Sequence, residues 1–292
     1  MSYSSIFRQN LFEGQVAIVT GGGSGIGRCI AHELSALGAT VVLASRNIEK
    51  CDGVKGEITQ DGGKAFSKAC NIRSEDDIKK LIAETISEHG QLNFLVNNAG
   101  GQFAAPIDSI SVRGWAAVIE TNLTGTFLLC REAVAQYMGD NGGAIVNIVA
   151  DMWSGMPMMS HSGAARAGVV NFTKTAAMEW APNHVRVNAV APGLILSSGF
   201  KNYPEPVLEL LKTLPEQIPA SRFGTESEVS SAVTYLLSPA AAYITGETIR
   251  VDGASSLYRR TFPIPTHEPT PKYSGFHREA DLPSILSEEN DD

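Results

Sequence analysis

Cysteine is scarce in this chain: four residues in 292, at Cys29, Cys51, Cys70 and Cys130. No two form a C-x-x-C and none has metal-ligand spacing, so a disulfide framework, a redox dithiol and a zinc knuckle are not expected. Each cysteine reads as a small buried thiol, and no metal site is expected. Positive charge is also short, 23 Lys and Arg against 31 Asp and Glu, for a net charge of −8. That balance gives no general affinity for nucleic acid or an anionic membrane, although a local basic pocket for one phosphate ligand stays open. No apolar run reaches the roughly 20 residues a membrane span needs. The opening "MSYSSIFRQN" lacks a signal-peptide core and the closing "SEENDD" is not a peroxisomal address. A cytoplasmic, reducing setting without a membrane span is the expectation. No internal repeat is visible.

What is present is a βαβ alternation. Segments 15–20, 40–45, 64–69, 92–96, 144–149, 185–190 and 248–251 read as strands, several of them wholly apolar, as in a parallel sheet covered on both faces. Helix periods fall near 25–37, 47–60, 74–89, 111–138, 158–180 and 226–237. The pattern predicts an α/β fold, a doubly wound, mostly parallel Rossmann sheet of about seven strands with helices on both faces. One domain is expected over 1–258. A proline-rich, acidic extension follows over 259–292, ordered where Phe262, Tyr273 and Phe276 find a surface and frayed at 287–292. That surface is a substrate site, a neighbouring subunit or the chain's own domain.

"VTGGGSGIGR" links the first strand to the first helix. Gly21, Gly25 and Gly27 permit a tight turn, and with Ser24 and Ile26 they bring the backbone close to a pyrophosphate at a helix N-terminus. The second strand ends in Ser45 and Arg46, where a carboxylate would accept from ribose hydroxyls. A hydroxyl and a guanidinium suit a 2′-phosphate instead, which favours NADP(H) over NAD(H). Asn71 and Ile72 would flank the adenine. Asn98, Ala99 and Gly100 let the chain pass an adenine-side ribose. Pro192 and Gly193 set a turn from which the backbone of Ile195 reaches a nicotinamide carboxamide.

Over about residues 14–256 these stretches, with "NNAGGQF", "ETNLTGTF", "HSGAARAGV", "IPASRFG" and "LLSPAAAYITG", resemble the short-chain dehydrogenase/reductase family. The resemblance is narrower still to its branch of peroxisomal trans-2-enoyl-CoA and dienoyl-CoA reductases. It implies four catalytic positions. Asn122 keeps the asparagine; Val149 stands where the family has serine, Ser162 where it has tyrosine and Arg166 where it has lysine. Arg166 keeps a charge and a donor fork for ribose hydroxyls, but it is neither acid nor base near neutral pH. Ser162 can donate a hydrogen bond and is a poor base. Oxidising an alcohol requires a base, whereas reducing a C=C conjugated to a thioester requires mainly donors for the enolate oxygen.

The resemblance therefore implies an NADPH-dependent 2-enoyl-CoA reductase. An alcohol or aldehyde dehydrogenase of a terpenoid such as citronellol is the alternative, and an NADP(H)-binding pseudo-enzyme a third reading. The α-proton comes from Asp151, from His161 or from a held water. Relatives of the peroxisomal enzyme carry a tyrosine acid where this chain has Val170. Gln102, Phe103, Met152 and Trp153 would line an apolar substrate pocket. Residues 198–224 read as a lid, with Lys201 or Arg222 as possible partners of a CoA phosphate. By the same resemblance, the helices at 111–138 and 158–180 would form a subunit contact in a homotetramer.

Overall fold

A computed structural model describes residues 2–203, 205–258 and 264–287. Seven strands, β1 (Val16–Thr20), β2 (Thr40–Ser45), β3 (Lys64–Ala69), β4 (Phe94–Asn97), β5 (Gly143–Ile148), β6 (Val185–Pro192) and β7 (Thr248–Val251), make one sheet in the order 3-2-1-4-5-6-7. Every pairing is parallel. The helices are α1 (Gly25–Ala36), α2 (Ile48–Gln60), α3 (Glu75–His89), α4 (Val112–Ile119), α5 (Gly125–Ala133), α6 (Gly139–Asn141), α7 (Ser160–Glu179), α8 (Glu205–Lys212), α9 (Glu226–Leu237) and the single turn α10 (Ser284–Ser287). None of the described helices is long and apolar enough to cross a membrane.

Strand alternation sends neighbouring residues to opposite faces. In β1, Ala17 and Val19 pack with Ile30 and Leu34 of α1, Val54 of α2 and Val233 of α9. Val16 and Ile18 pack on the other side with Ile78 of α3, Leu129 of α5 and Ala177 of α7. Because β1 lies between β2 and β4, the connections leave in opposite directions there. The crevice beyond the carboxyl ends of β1 and β4 is the place such a sheet offers a ligand.

Three boundaries depart from expectation for local reasons. β4 begins at Phe94, and just before it the side chain of Asn93 accepts from the Val16 N–H at 2.7 Å. The single helix expected over 111–138 is three α segments joined by π turns at Glu120–Thr124 and Val134–Met138. The first turn carries Asn122, fully buried. Inside the expected lid the chain folds a short helix, α8, whose Leu208 and Leu211 pack on Phe200 and on Leu286 of α10.

The C-terminal extension lies on its own chain. Tyr273 donates to the Ser4 carbonyl at 3.0 Å, and its N–H is accepted by Glu228. Phe276 stacks on Tyr3 and lies under the Arg28 guanidinium. Phe262 and residues 288–292 fall outside the described residues. All four cysteines are buried free thiols.

Candidate active site

The glycine turn is held by a polar knot at the end of β1. Thr20 Oγ accepts from the N–H groups of Asn98 and Ala99 at 3.1 and 3.0 Å. Asn98 Nδ2 donates to the carbonyls of Thr20 and Gly21 at 3.0 and 3.4 Å. Asn98 therefore shapes the loop with its side chain as well as with its backbone. Gly21 and Gly25 have φ of +67° and +57°, which disfavour a side chain, and a Cβ on Gly27 would strike Asn98 and the Gly21 carbonyl. Ser24 precedes α1 with extended backbone, and its side chain caps nothing. Ile26 is half-buried against the core.

At the end of β2, Ser45 Oγ accepts from Asn47 N–H at 3.2 Å. The exposed Arg46 has no partner among the described residues. Asn71 N–H is accepted by Asp77, whose carboxyl is held below its usual range by that bond, and Asn71 Oδ1 accepts from Arg73. The buried Ile72 presses on Gly125. Gly193, after Pro192, is fixed by its N–H on the Val251 carbonyl at 2.9 Å. Leu194 and Leu196 exchange bonds with Gly224, which leaves the N–H and carbonyl of Ile195 without a partner among the described residues. These features fit a dinucleotide: a cradle closed to any Cβ, a free guanidinium beside the adenine end and an open peptide at the nicotinamide end.

The residues expected to be catalytic lie along a strip. Asn122 accepts from Gly101 N–H and donates to Gly101 C=O, both at 2.9 Å. Beside it Arg166, 9% exposed, donates to the Ile148 carbonyl at 2.8 Å, while its Nε has no partner. Burial alone lowers its pKa to about 10, and no carboxylate pairs with it among the described residues. A Cβ on Gly100 would run into this guanidinium and reach within 3.0 Å of Asn122 Oδ1, so Gly100 holds the pocket open for Arg166. Val149 is buried with Val169 and Ala191, with Val170 packed against them, so apolar packing fills the positions of the family's serine and of the second tyrosine.

Ser162, fully buried, donates to Gln102 Oε1 at 2.6 Å. Gln102 Nε2 donates in turn to Tyr203 Oη at 3.2 Å, and the Tyr203 hydroxyl faces Met159 Sδ at 3.9 Å. The one proton of Ser162 is thus engaged. Among the described residues the Tyr203 proton meets only a thioether, a weak acceptor. A phenol therefore enters the strip from the lid. Its position in "FKNY", 101 residues from Gln102, carried no signal in the sequence.

Neither Asp151 nor His161 bonds the Ser162 hydroxyl among the described residues. Asp151 accepts from Ser255 Oγ at 3.3 Å, and burial together with the neighbouring Asp252 raises its pKa. It makes no bond to Ser162. His161 is fully buried: its Nδ1 accepts from the Ser162 N–H at 2.8 Å, and its unpartnered Nε2 lies in a ring packed edgewise on Phe103, centroids 4.4 Å apart. Phe103 is half-exposed. Met152 lines a cavity of about 370 Å³ with Met156, Pro157 and Gly163. Trp153 stands under the Arg250 guanidinium, 4.1 Å from the ring centroid. The two cations expected to meet a CoA phosphate are engaged, Lys201 with Asp281 and Arg222 bidentately with Glu228. Glu226, at the start of α9 and near Gly25, has an unpartnered buried oxygen, and burial raises its pKa to about 7.

The family model described as enoyl-(acyl carrier protein) reductase matches residues 21–255. A solved citronellol catabolism dehydrogenase of Pseudomonas aeruginosa PAO1 is 53% identical, with a TM-score of 0.79, covering 87% of this chain and all of that one. A 3-oxoacyl-[acyl-carrier-protein] reductase of Synechocystis is 40% identical, covering 84% of this chain and 98% of its own length. A peroxisomal 2,4-dienoyl-CoA reductase of Danio rerio is 36% identical, covering 87% and 86%.

Proposed function

Because the chain belongs to the short-chain dehydrogenase/reductase family of nicotinamide-dependent oxidoreductases, we propose that it reduces the C=C bond of a 2-enoyl thioester with NADPH. The bound cofactor supplies the hydride. Ser45 and Arg46 hold its 2′-phosphate, the glycine turn its pyrophosphate, and Arg166 and the Ile195 peptide its nicotinamide half. Hydride arriving at the β-carbon drives negative charge onto the thioester oxygen, and the α-carbon then takes a proton. The observation that supports this reading is the bonding of the strip: Ser162, Gln102 and Tyr203 form a chain of donors beside a buried, uncompensated Arg166. No carboxylate or imidazole nitrogen touches the Ser162 hydroxyl. Donors beside a phenol that can give up its proton suit enolate stabilisation followed by protonation. Tyr203, whose proton has no strong acceptor among the described residues, is assigned the proton transfer. The exposed Trp115, Phe127 and Met178, on α4, α5 and α7, suit a subunit contact in a homotetramer.

A second reading, oxidation of a citronellol-like alcohol, is favoured by the 53% identity to the citronellol catabolism dehydrogenase and by the pairing of Lys201 and Arg222, which leaves neither for a CoA phosphate. Absorbance at 340 nm separates the two, with 2-enoyl-CoAs and NADPH against citronellol and NADP⁺. Turnover of the enoyl-CoAs is expected, and Tyr203→Phe should lower kcat on the order of 100-fold with NADPH affinity unchanged. Turnover of the alcohol alone establishes the second reading. Firm NADPH binding with no turnover of either substrate makes the chain a pseudo-enzyme.

A further inference from the structure

Away from the catalytic face, on the outer side of α1 and α2, three segments distant in sequence bring two imidazoles and a carboxylate together. His32 comes from α1, Asp61 from the end of α2 and His277 from the C-terminal extension. One ligand atom from each lies within 4.8 Å of the other two. His277 Nε2 is 2.9 Å and His32 Nδ1 3.4 Å from the same oxygen, Asp61 Oδ2. Neither contact has hydrogen-bond geometry: Asp61 Oδ2 and His277 Nε2 are both buried polar atoms without a partner. Buried polar atoms are rarely left unpaired, so these two, facing one another beside His32 Nδ1 without bonding, call for an explanation.

We propose that His32, Asp61 and His277 form a zinc site that fastens the C-terminal extension to the α1–α2 layer. Tetrahedral zinc at about 2.0–2.1 Å from nitrogen and oxygen sets ligand atoms roughly 3.3 Å apart. The two measured separations, 2.9 and 3.4 Å, bracket that value. The shell around the ligands is also that of a metal centre. Glu57 Oε2 lies 3.0 Å from His32 Nε2, which fixes that ring with Nδ1 toward Asp61. Arg278 donates to Asp61 Oδ1 at 2.9 Å, which turns Oδ2 toward the histidines. Arg28 in turn grips Glu57 at 2.8 and 2.9 Å. The two carboxylates and two guanidiniums balance, so the ion adds its own charge and the fourth ligand is a water or an anion. A cavity of about 690 Å³, lined by residues that include Tyr3, Ser5, His32 and Asp61, gives an entry path.

The test uses the full-length, tag-free protein, stripped with chelator, dialysed and titrated with Zn²⁺ by calorimetry. One equivalent per chain is expected, with a rise in Tm on loading. Co²⁺ in place of zinc should give the intense visible bands of four-coordinate cobalt. His277→Gln, a change in a surface extension still anchored by Phe276 and Arg278, should keep the metal-free Tm and circular dichroism, lose the saturable site and lose the cobalt bands. Failure of the wild-type protein to take up an equivalent, or uptake that His277→Gln retains, overturns the proposal.

Discussion

Replacing Arg46 with alanine isolates the choice between the two nicotinamide cofactors. Arg46 is exposed and bonds to none of the described residues, so its removal breaks no contact among them and Tm should not move. What changes is the attraction to a 2′-phosphate. A charge-assisted hydrogen bond contributes about 1.5–3 kcal/mol. Solvent around an exposed guanidinium screens the interaction toward the lower figure. With 1.4 kcal/mol per tenfold, NADPH should bind about tenfold more weakly to Arg46→Ala. NADH, which lacks the phosphate, should bind as before. Fluorescence titration of both cofactors at low salt measures this directly. Raising the salt toward about 1 M, where the Debye length shrinks to roughly 3 Å, should narrow the difference between wild type and variant. Equal losses for NADPH and NADH, or no loss for NADPH, would refute the assignment of Arg46 to the phosphate.

Two further outcomes follow from the same geometry. Gly100→Ala places a methyl group against the Arg166 guanidinium and Asn122 Oδ1, so NADPH affinity should fall at least tenfold while the far-ultraviolet circular dichroism stays unchanged. Glu226 gives a pH signature. Its pKa in the folded state, about 7, lies above the ordinary 4.5, so the folded protein holds this proton more tightly than the unfolded chain does. Stability should therefore decline as pH rises from about 4.5 to about 7, by a few kcal/mol at most. Glu226→Gln removes that decline. The Tm difference between variant and wild type should open across this window in favour of glutamine, and a constant difference would contradict the burial argument.

Much of the fold was legible because local patterns determine it. The apolar runs at 15–20 and 40–45 alternate faces in a covered sheet, and their ends agree with β1 and β2 to within a residue. The glycine turn was legible for the same reason, since positive φ and close approach are local demands. What escaped depends on side chains meeting across long stretches of chain. The side chain of Asn93 bonds the backbone of Val16, 77 residues away. Asp151 looked like an acid near the site, yet it turns toward Ser255 and Asp252 on the far side of β6. Tyr203 reaches the strip only because the lid folds α8 against α10, and α10 belongs to a segment that read as an extended tail. His32, Asp61 and His277 have no common spacing, so counting cysteines and histidines along the chain could not have brought them together.

The extension's contacts also bear on the order in which the protein matures. Ser4 donates its N–H to the Gly275 carbonyl and accepts from Tyr273, a residue 269 positions later. The amino-terminal arm therefore leaves the ribosome long before its partner exists. During synthesis Tyr3 and the flank of α1 stay uncovered while the sheet assembles beside them. A late-emerging segment completes an early one, so premature termination anywhere upstream of residue 273 would leave Ser4 and Tyr3 without these partners.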